Sequence, residues 1–147
     1  MTVYIIGSLR QPRVTEVAAE LREHGYDCFD DWHAAGPEAD DYWRDYEKAR
    51  GHSYKQALEG WAARHVFAFD KHHLDRCSAA VLVLPAGKSG HLELGYMLGR
   101  GKLGYILLEQ QDPERFDVMY QFADGVAGDI DELLEMMYAD GVERSKP

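Results

Sequence analysis

Cysteine is scarce in this chain. Only Cys28 and Cys77 stand among 147 residues, too few for the disulfide lattice that small secreted domains use in place of a core. Both are expected to be reduced and buried, in a cytoplasmic protein. Long apolar runs are also missing: nothing approaches the roughly 20 residues needed to cross a bilayer. Residues 1–9 have no basic start and run straight into a strand and turn, so neither a secretory leader nor a membrane partner is expected. Basic charge is short as well, with 16 Lys and Arg against 26 Asp and Glu, a formal charge of −10. Such a surface repels nucleic acid polymers and anionic lipid, yet leaves room for one small phosphorylated ligand held by local donors. Metal-ligand spacing is lacking. His72 and His73 are adjacent and diverge on a helix, and no Cys or His pair has zinc spacing, so no metal and no cofactor are expected. Gly87-Lys88-Ser89 has the sequence of the end of a Walker A loop, but its first glycine would fall on Leu82. No Gly-x-Ser-x-Gly elbow occurs.

What the chain has is a run from Val81 through Tyr96. Val81-Leu82-Val83-Leu84 reads as a strand buried on both faces. The small residues Gly87, Ser89 and Gly90 form a turn that lets a ligand approach the backbone. A helix then begins, whose free N–H groups suit an anion. Its first turns carry His91, which either faces a ligand or packs the loop, and Glu93. That places Glu93 at the carboxyl end of a strand, where open α/β sheets build their sites.

The rest of the chain alternates strand and helix. Val3–Ile6 is a strand ended by Gly7-Ser8. Pro12 opens a helix with Val14, Val17, Ala18 and Leu21 on one face, stopped at His24-Gly25. A second strand spans 26–29 and a polar loop 30–41. Residues 42–63 read as mostly helical, broken near Gly51 and dense in Tyr and Trp. They form either a wedge on the sheet or a lid lining a base pocket. A helix over 65–77, a strand over 104–108, a polar loop over 110–115 and a helix over 129–138 with Asp129 as N-cap follow. The charged tail is expected to fray. This alternation predicts an α/β fold, a single-domain flavodoxin-like or Rossmann-like three-layer sandwich of about five parallel strands.

Two more clusters carry chemistry. Gly7-Ser8-Leu9-Arg10 follows the strand that holds Tyr4, and a Gly-Ser turn with an Arg is a credible phosphate cradle. Asp70 follows Val66-Phe67-Ala68-Phe69, at the start of a helix, either as an N-cap or as a site carboxylate.

Three features together resemble the nucleoside 2-deoxyribosyltransferase family, which includes the 2'-deoxynucleoside 5'-phosphate N-hydrolases. They are Tyr4 with Gly7-Ser8, Asp70 about two dozen residues ahead of Glu93, and Gly90-His91-Leu92-Glu93-Leu94-Gly95-Tyr96 followed by Gly101-Lys102. The resemblance covers roughly residues 3–110, so 1–141 is expected to be a domain of that kind. Residues 38–64 would be its helical insertion, and 142–147 a flexible tail. It implies that Glu93 is the nucleophile on the anomeric carbon, that Asp70 holds or protonates the leaving base and that Tyr4 orients the nucleophile. Gly7, Ser8, Arg10, Gly87, Ser89, Gly90 and His91 would contact substrate. It further implies a small nucleoside or nucleotide ligand and a homodimer or higher homo-oligomer, with residues 119–129 completing a neighbour's site. The chain departs from the family in lacking an Asp just ahead of the Glu and in carrying His91 where a small residue is usual. The span 85–93 also resembles the motif of the cytokinin-activating phosphoribohydrolases, with Ala86, Ser89 and Gly90 as mismatches.

The chemistry suits the roles. Breaking an N-glycosidic bond builds positive charge on the sugar, which a carboxylate beneath the anomeric carbon stabilises or captures. The leaving base needs a proton or a hydrogen bond. Rival readings are a TIR-like NAD glycohydrolase, a non-catalytic nucleotide sensor, and a structural domain in which Glu93 merely pairs.

Overall fold

The computed structural model describes residues 1–110 and 113–145. Five parallel strands form one sheet: β1 (Thr2–Ile6), β2 (Asp27–Phe29), β3 (Ala79–Val83), β4 (Leu103–Leu107) and β5 (Gly125–Ala127), in the order β2-β1-β3-β4-β5. This is the flavodoxin-like, Rossmann-related α/β arrangement that the alternation of elements predicts. The strand over 125–127 was not among the elements read from sequence. It is three residues long, holds a glycine, and has too few residues to show a period.

Alternation along β1 splits its side chains between two cores. Val3 and Ile5 join Val81, Val83, Tyr105 and Leu107 under α1 (Arg13–Glu23) and α6 (Ile130–Ala139). Tyr4 and Ile6 join Leu82 and Ile106 under α4 (Trp61–Arg76) and α5 (Lys88–Gly99). The α1 stripe of Val14, Val17, Ala18 and Leu21 is fully buried, about 1.5–3 kcal/mol for each of the larger aliphatics. Pro12 and His24 bound that helix, and Gly25 takes the positive φ that turns the chain into β2. Asp129 caps α6, its Oδ1 accepting from the Glu132 N–H at 2.8 Å.

Several local expectations change. The loop over 30–41 contains a 3₁₀ turn, Asp31–Ala35, and gives way to α2 (Ala39–Ala49). The aromatic segment is an arm of two helices, α2 and α3 (Tyr54–Leu58); α2 packs on α3 and α3 on α4, so the arm is not a wedge on the sheet. Asp70 lies in the middle of α4 and is no N-cap, because α4 starts nine residues earlier at Trp61. Lys88, Ser89 and Gly90 belong to the first turn of α5 rather than to the loop. Residues 111 and 112 of the polar loop lie outside the described residues. The tail is tied down as far as Ser145, whose N–H donates to the Gly25 carbonyl at 2.9 Å, and its Val142 is buried. No helix is long and apolar enough to cross a membrane among the described residues.

Candidate active site

Strand order reverses between β1 and β3, so α1 and α5 pack on opposite faces of the sheet, and the carboxyl edge between them is where open α/β sheets place their ligands. That edge carries the turn after β1, with Gly7, Ser8 and Arg10, and the turn after β3, running to Gly87, the N-cap of α5. No side chain caps that helix start.

Beneath this edge, on the α4/α5 face, three elements bring Tyr4, Asp70 and Glu93 together. Tyr4 is buried on β1, its ring 5.3 Å from that of Phe29. Burial, followed by the charges of Glu93 and Asp70, holds its hydroxyl far from ionisation. Glu93 sits in the second turn of α5, in a crevice of about 230 Å³ against α4 with Phe67, Lys71, Leu74, Leu92 and Tyr96. Burial, and next the charge of Asp70, push the Glu93 carboxyl up to about 8. Burial pushes Asp70 up to about 6. Neither carboxylate has a hydrogen-bond partner among the described residues, which is why desolvation dominates. Two half-buried carboxyl groups close enough for the charge of one to raise the other, with a buried phenol beside them, are both shifted toward the protonated form.

The crevice is braced by residues to which sequence reading gave no role. The Tyr96 hydroxyl donates to Asp75, and Lys71 donates to the other Asp75 oxygen at 2.8 Å, pinning α5 to α4. Lys102 closes the end of α4 by donating to the Leu74 and Asp75 carbonyls at 2.8 and 2.6 Å. Tyr96 and Lys102 of the motif therefore do structural duty. His73 stacks on Phe29 at 3.9 Å, and its Nδ1 accepts from Arg76 Nε, leaving the proton on Nε2. Burial and then the Arg76 charge lower its basicity. The signal for these residues was the i, i+3 and i, i+4 spacing of Asp70/His73, Lys71/Asp75 and Glu93/Tyr96.

The other expected contact residues scatter. Gly7 is half-buried, and a Cβ there would lie 2.5 Å from Val14 Cγ2. Gly90 is buried, with a Cβ 3.0 Å from Leu82 and 3.3 Å from Ile6. Both glycines seat helices on the sheet. Gly87 and Ser89 are exposed at the helix start. The Ser8 hydroxyl accepts from the Arg10 N–H at 3.2 Å, and Arg10 pairs with Asp41 at 2.7 Å. His91 turns away from Glu93 to the opposite flank of α5. There its Nδ1–H donates to the Gly87 carbonyl at 2.8 Å and its Nε2 meets the Tyr120 hydroxyl at 2.9 Å.

A comparison with protein-family models found no match, and a comparison with curated proteins found none either. The chain is classed by its own architecture, a five-stranded parallel α/β domain with a half-buried carboxyl pair between α4 and α5.

Proposed function

We propose that the protein cleaves or exchanges the N-glycosidic bond of a (deoxy)nucleoside or of its 5'-monophosphate. The observation that carries this reading is the convergence of Tyr4, Asp70 and Glu93 from β1, α4 and α5. These are the three residues to which the family resemblance gives roles. In this reading a Glu93 oxygen attacks the anomeric carbon. The carbon–nitrogen bond breaks and its electron pair leaves with the base, which Asp70 holds or protonates. Tyr4 orients the nucleophile. Water then opens the glycosyl ester and regenerates Glu93, or a nitrogen of a second base does so and gives an exchanged nucleoside. Ser8, Arg10 and Ser89 contact phosphate or ribose.

The same reading includes a second copy of the chain. Trp61 on α4 is 83 % exposed, Leu92 beside the Glu93 crevice 75 %, and Phe122, on the 3₁₀ turn Val118–Phe122, 76 %. A groove of about 670 Å³ runs along the other flank of α5, between Leu98 and Phe122. Apolar surface on both sides of one helix suits burial against another subunit. Of the donor segment 119–129, only its start is free, since 125–127 is built into the sheet.

A nucleotide-binding sensor remains the second reading. Burial favours the protonated form of Glu93 at neutral pH, and that form donates a hydrogen bond rather than attacking carbon.

Free-base release from nucleosides, 5'-monophosphates and NAD, by wild type and Glu93→Ala, tests both readings. Release from one substrate class, lost in the variant by more than about a thousandfold, supports the glycosidic reaction and names the class. Release from NAD alone favours the NAD glycohydrolase. Tight nucleotide binding with no release, even with an acceptor base, leaves the sensor.

A further inference from the structure

The α2–α3 arm has little holding it to the body. Its buried side chains are Glu47 and Ala57. Glu47 is used within the arm, 2.5 Å from His52 Nδ1, and α3 rests on α4. At the root of the arm the tie is Arg10, whose Nη2 donates to Asp41 at 2.7 Å and whose Nε donates to the Pro37 carbonyl at 3.4 Å. Arg10 belongs to the turn after β1, at the carboxyl edge of the sheet beside the switch point. The pair is open to water, with side chains 65 % and 38 % exposed, so it is weak and exchangeable. Asp41 also has a second cation, Arg44 Nη1, at 3.3 Å.

We propose that Asp41 is a specificity-determining residue that competes with an anionic ligand for Arg10, so that a phosphate on the Gly7–Arg10 turn releases the root of the arm. The proposal rests on the glycosidic reading for the place of the anion, but not for the arm or its tether. A phosphate presents more acceptor oxygens and more charge to a guanidinium than a solvated carboxylate does. When Arg10 turns to it, Asp41 keeps Arg44 and no carboxylate is left without a counter-charge. The arm is also suited to a second arrangement: Trp43 Nε1, on α2, is the one buried side-chain nitrogen or oxygen without a partner among the described residues. A rearranged arm can satisfy that donor. Ligand binding would thus trade a protein–protein ion pair for a protein–ligand one and loosen the element that borders the site.

Amide hydrogen exchange over residues 37–50 reads this directly, with inorganic phosphate, a deoxynucleoside 5'-monophosphate, or chloride at matched ionic strength. In the wild type either phosphate is expected to speed exchange there by roughly fivefold, which corresponds to about 1 kcal/mol. Asp41→Asn is expected to exchange at the fast rate without ligand and to bind phosphate several-fold more tightly. Arg10→Gln should also be fast, and should no longer respond. A response to the nucleotide alone supports the proposal and assigns the anion to the substrate. Unchanged or slowed exchange with both ligands overturns it, as does Asp41→Asn binding phosphate no more tightly than wild type. None of these readouts needs turnover. A failure here beside Glu93-dependent base release sinks the tether alone, and a coupled arm in a protein that releases no base sinks the glycosidic reading alone.

Discussion

At the scale of single residues, the protonation of Glu93 and Asp70 decides what the crevice can do. With Asp70 near 6 and Glu93 near 8, the free protein between those values holds one proton, mostly on Glu93. A nucleophilic Glu93 must be ionised, so the reactive form is a minor one, and ionisations read from a pH profile belong to the pair. The pH profile of kcat/KM separates two roles for Asp70. If Asp70 delivers a proton, the profile is a bell with limbs near 6 and 8 and falls above 8. If it holds the base as a carboxylate, kcat/KM rises through about 8 and stays high. A profile flat from pH 5 to 9 removes both carboxyls from the reacting pair. Glu93 was legible in the sequence because a buried strand, a small-residue turn and a helix start leave little choice of place. The pairing was not legible from residue spacing alone, because it depends on how α4 lies against α5. Nor was the flank of His91, which follows from the rotation of α5 on the sheet.

At the scale of elements, small residues set how closely helices approach strands. Gly7 and Gly90 read from sequence as room for a ligand, but their missing side chains are occupied by Val14 and by Leu82 and Ile6. Gly7→Ala sets a methyl against a stiff, fully buried valine. It is expected to cost about 1–3 kcal/mol, seen as a lower urea midpoint with an unchanged slope. A midpoint equal to wild type would show that α1 shifts freely. The helix α1 was legible from its apolar stripe and its Pro and Gly bounds. The arm was legible as helix but not in its place. Its exposed aromatics, Tyr42, Tyr46, Tyr54 and Trp61, carry no period that tells a packed wedge from a projecting arm.

At the scale of the whole molecule, the α4/α5 face of a chain with charge −10 stays strongly apolar. Phe67 on α4 is 66 % exposed, and Phe116, just ahead of the 3₁₀ turn, is 83 % exposed. If a second copy covers this face, sedimentation velocity at micromolar concentration gives a dimer or larger. Phe67→Glu then shifts it to monomer and lowers base release with it, because Phe67 lines the Glu93 crevice. A wild type that sediments as a monomer removes the subunit partner from the proposed function.

Taken by itself, the sequence determined the α/β class, the alternation of the first four strands with helices, and the two-faced burial of the central strands. Those properties are local: apolar runs, helical stripes and turn residues act over a few positions. Tertiary structure alone decided that three distant residues come together between β1, α4 and α5, that two glycines serve packing, that His91 lies on the other flank of α5, and that Arg10 ties the root of the arm. Each depends on the rotation and docking of whole helices, where many weak contacts are summed and no short stretch of sequence carries the answer.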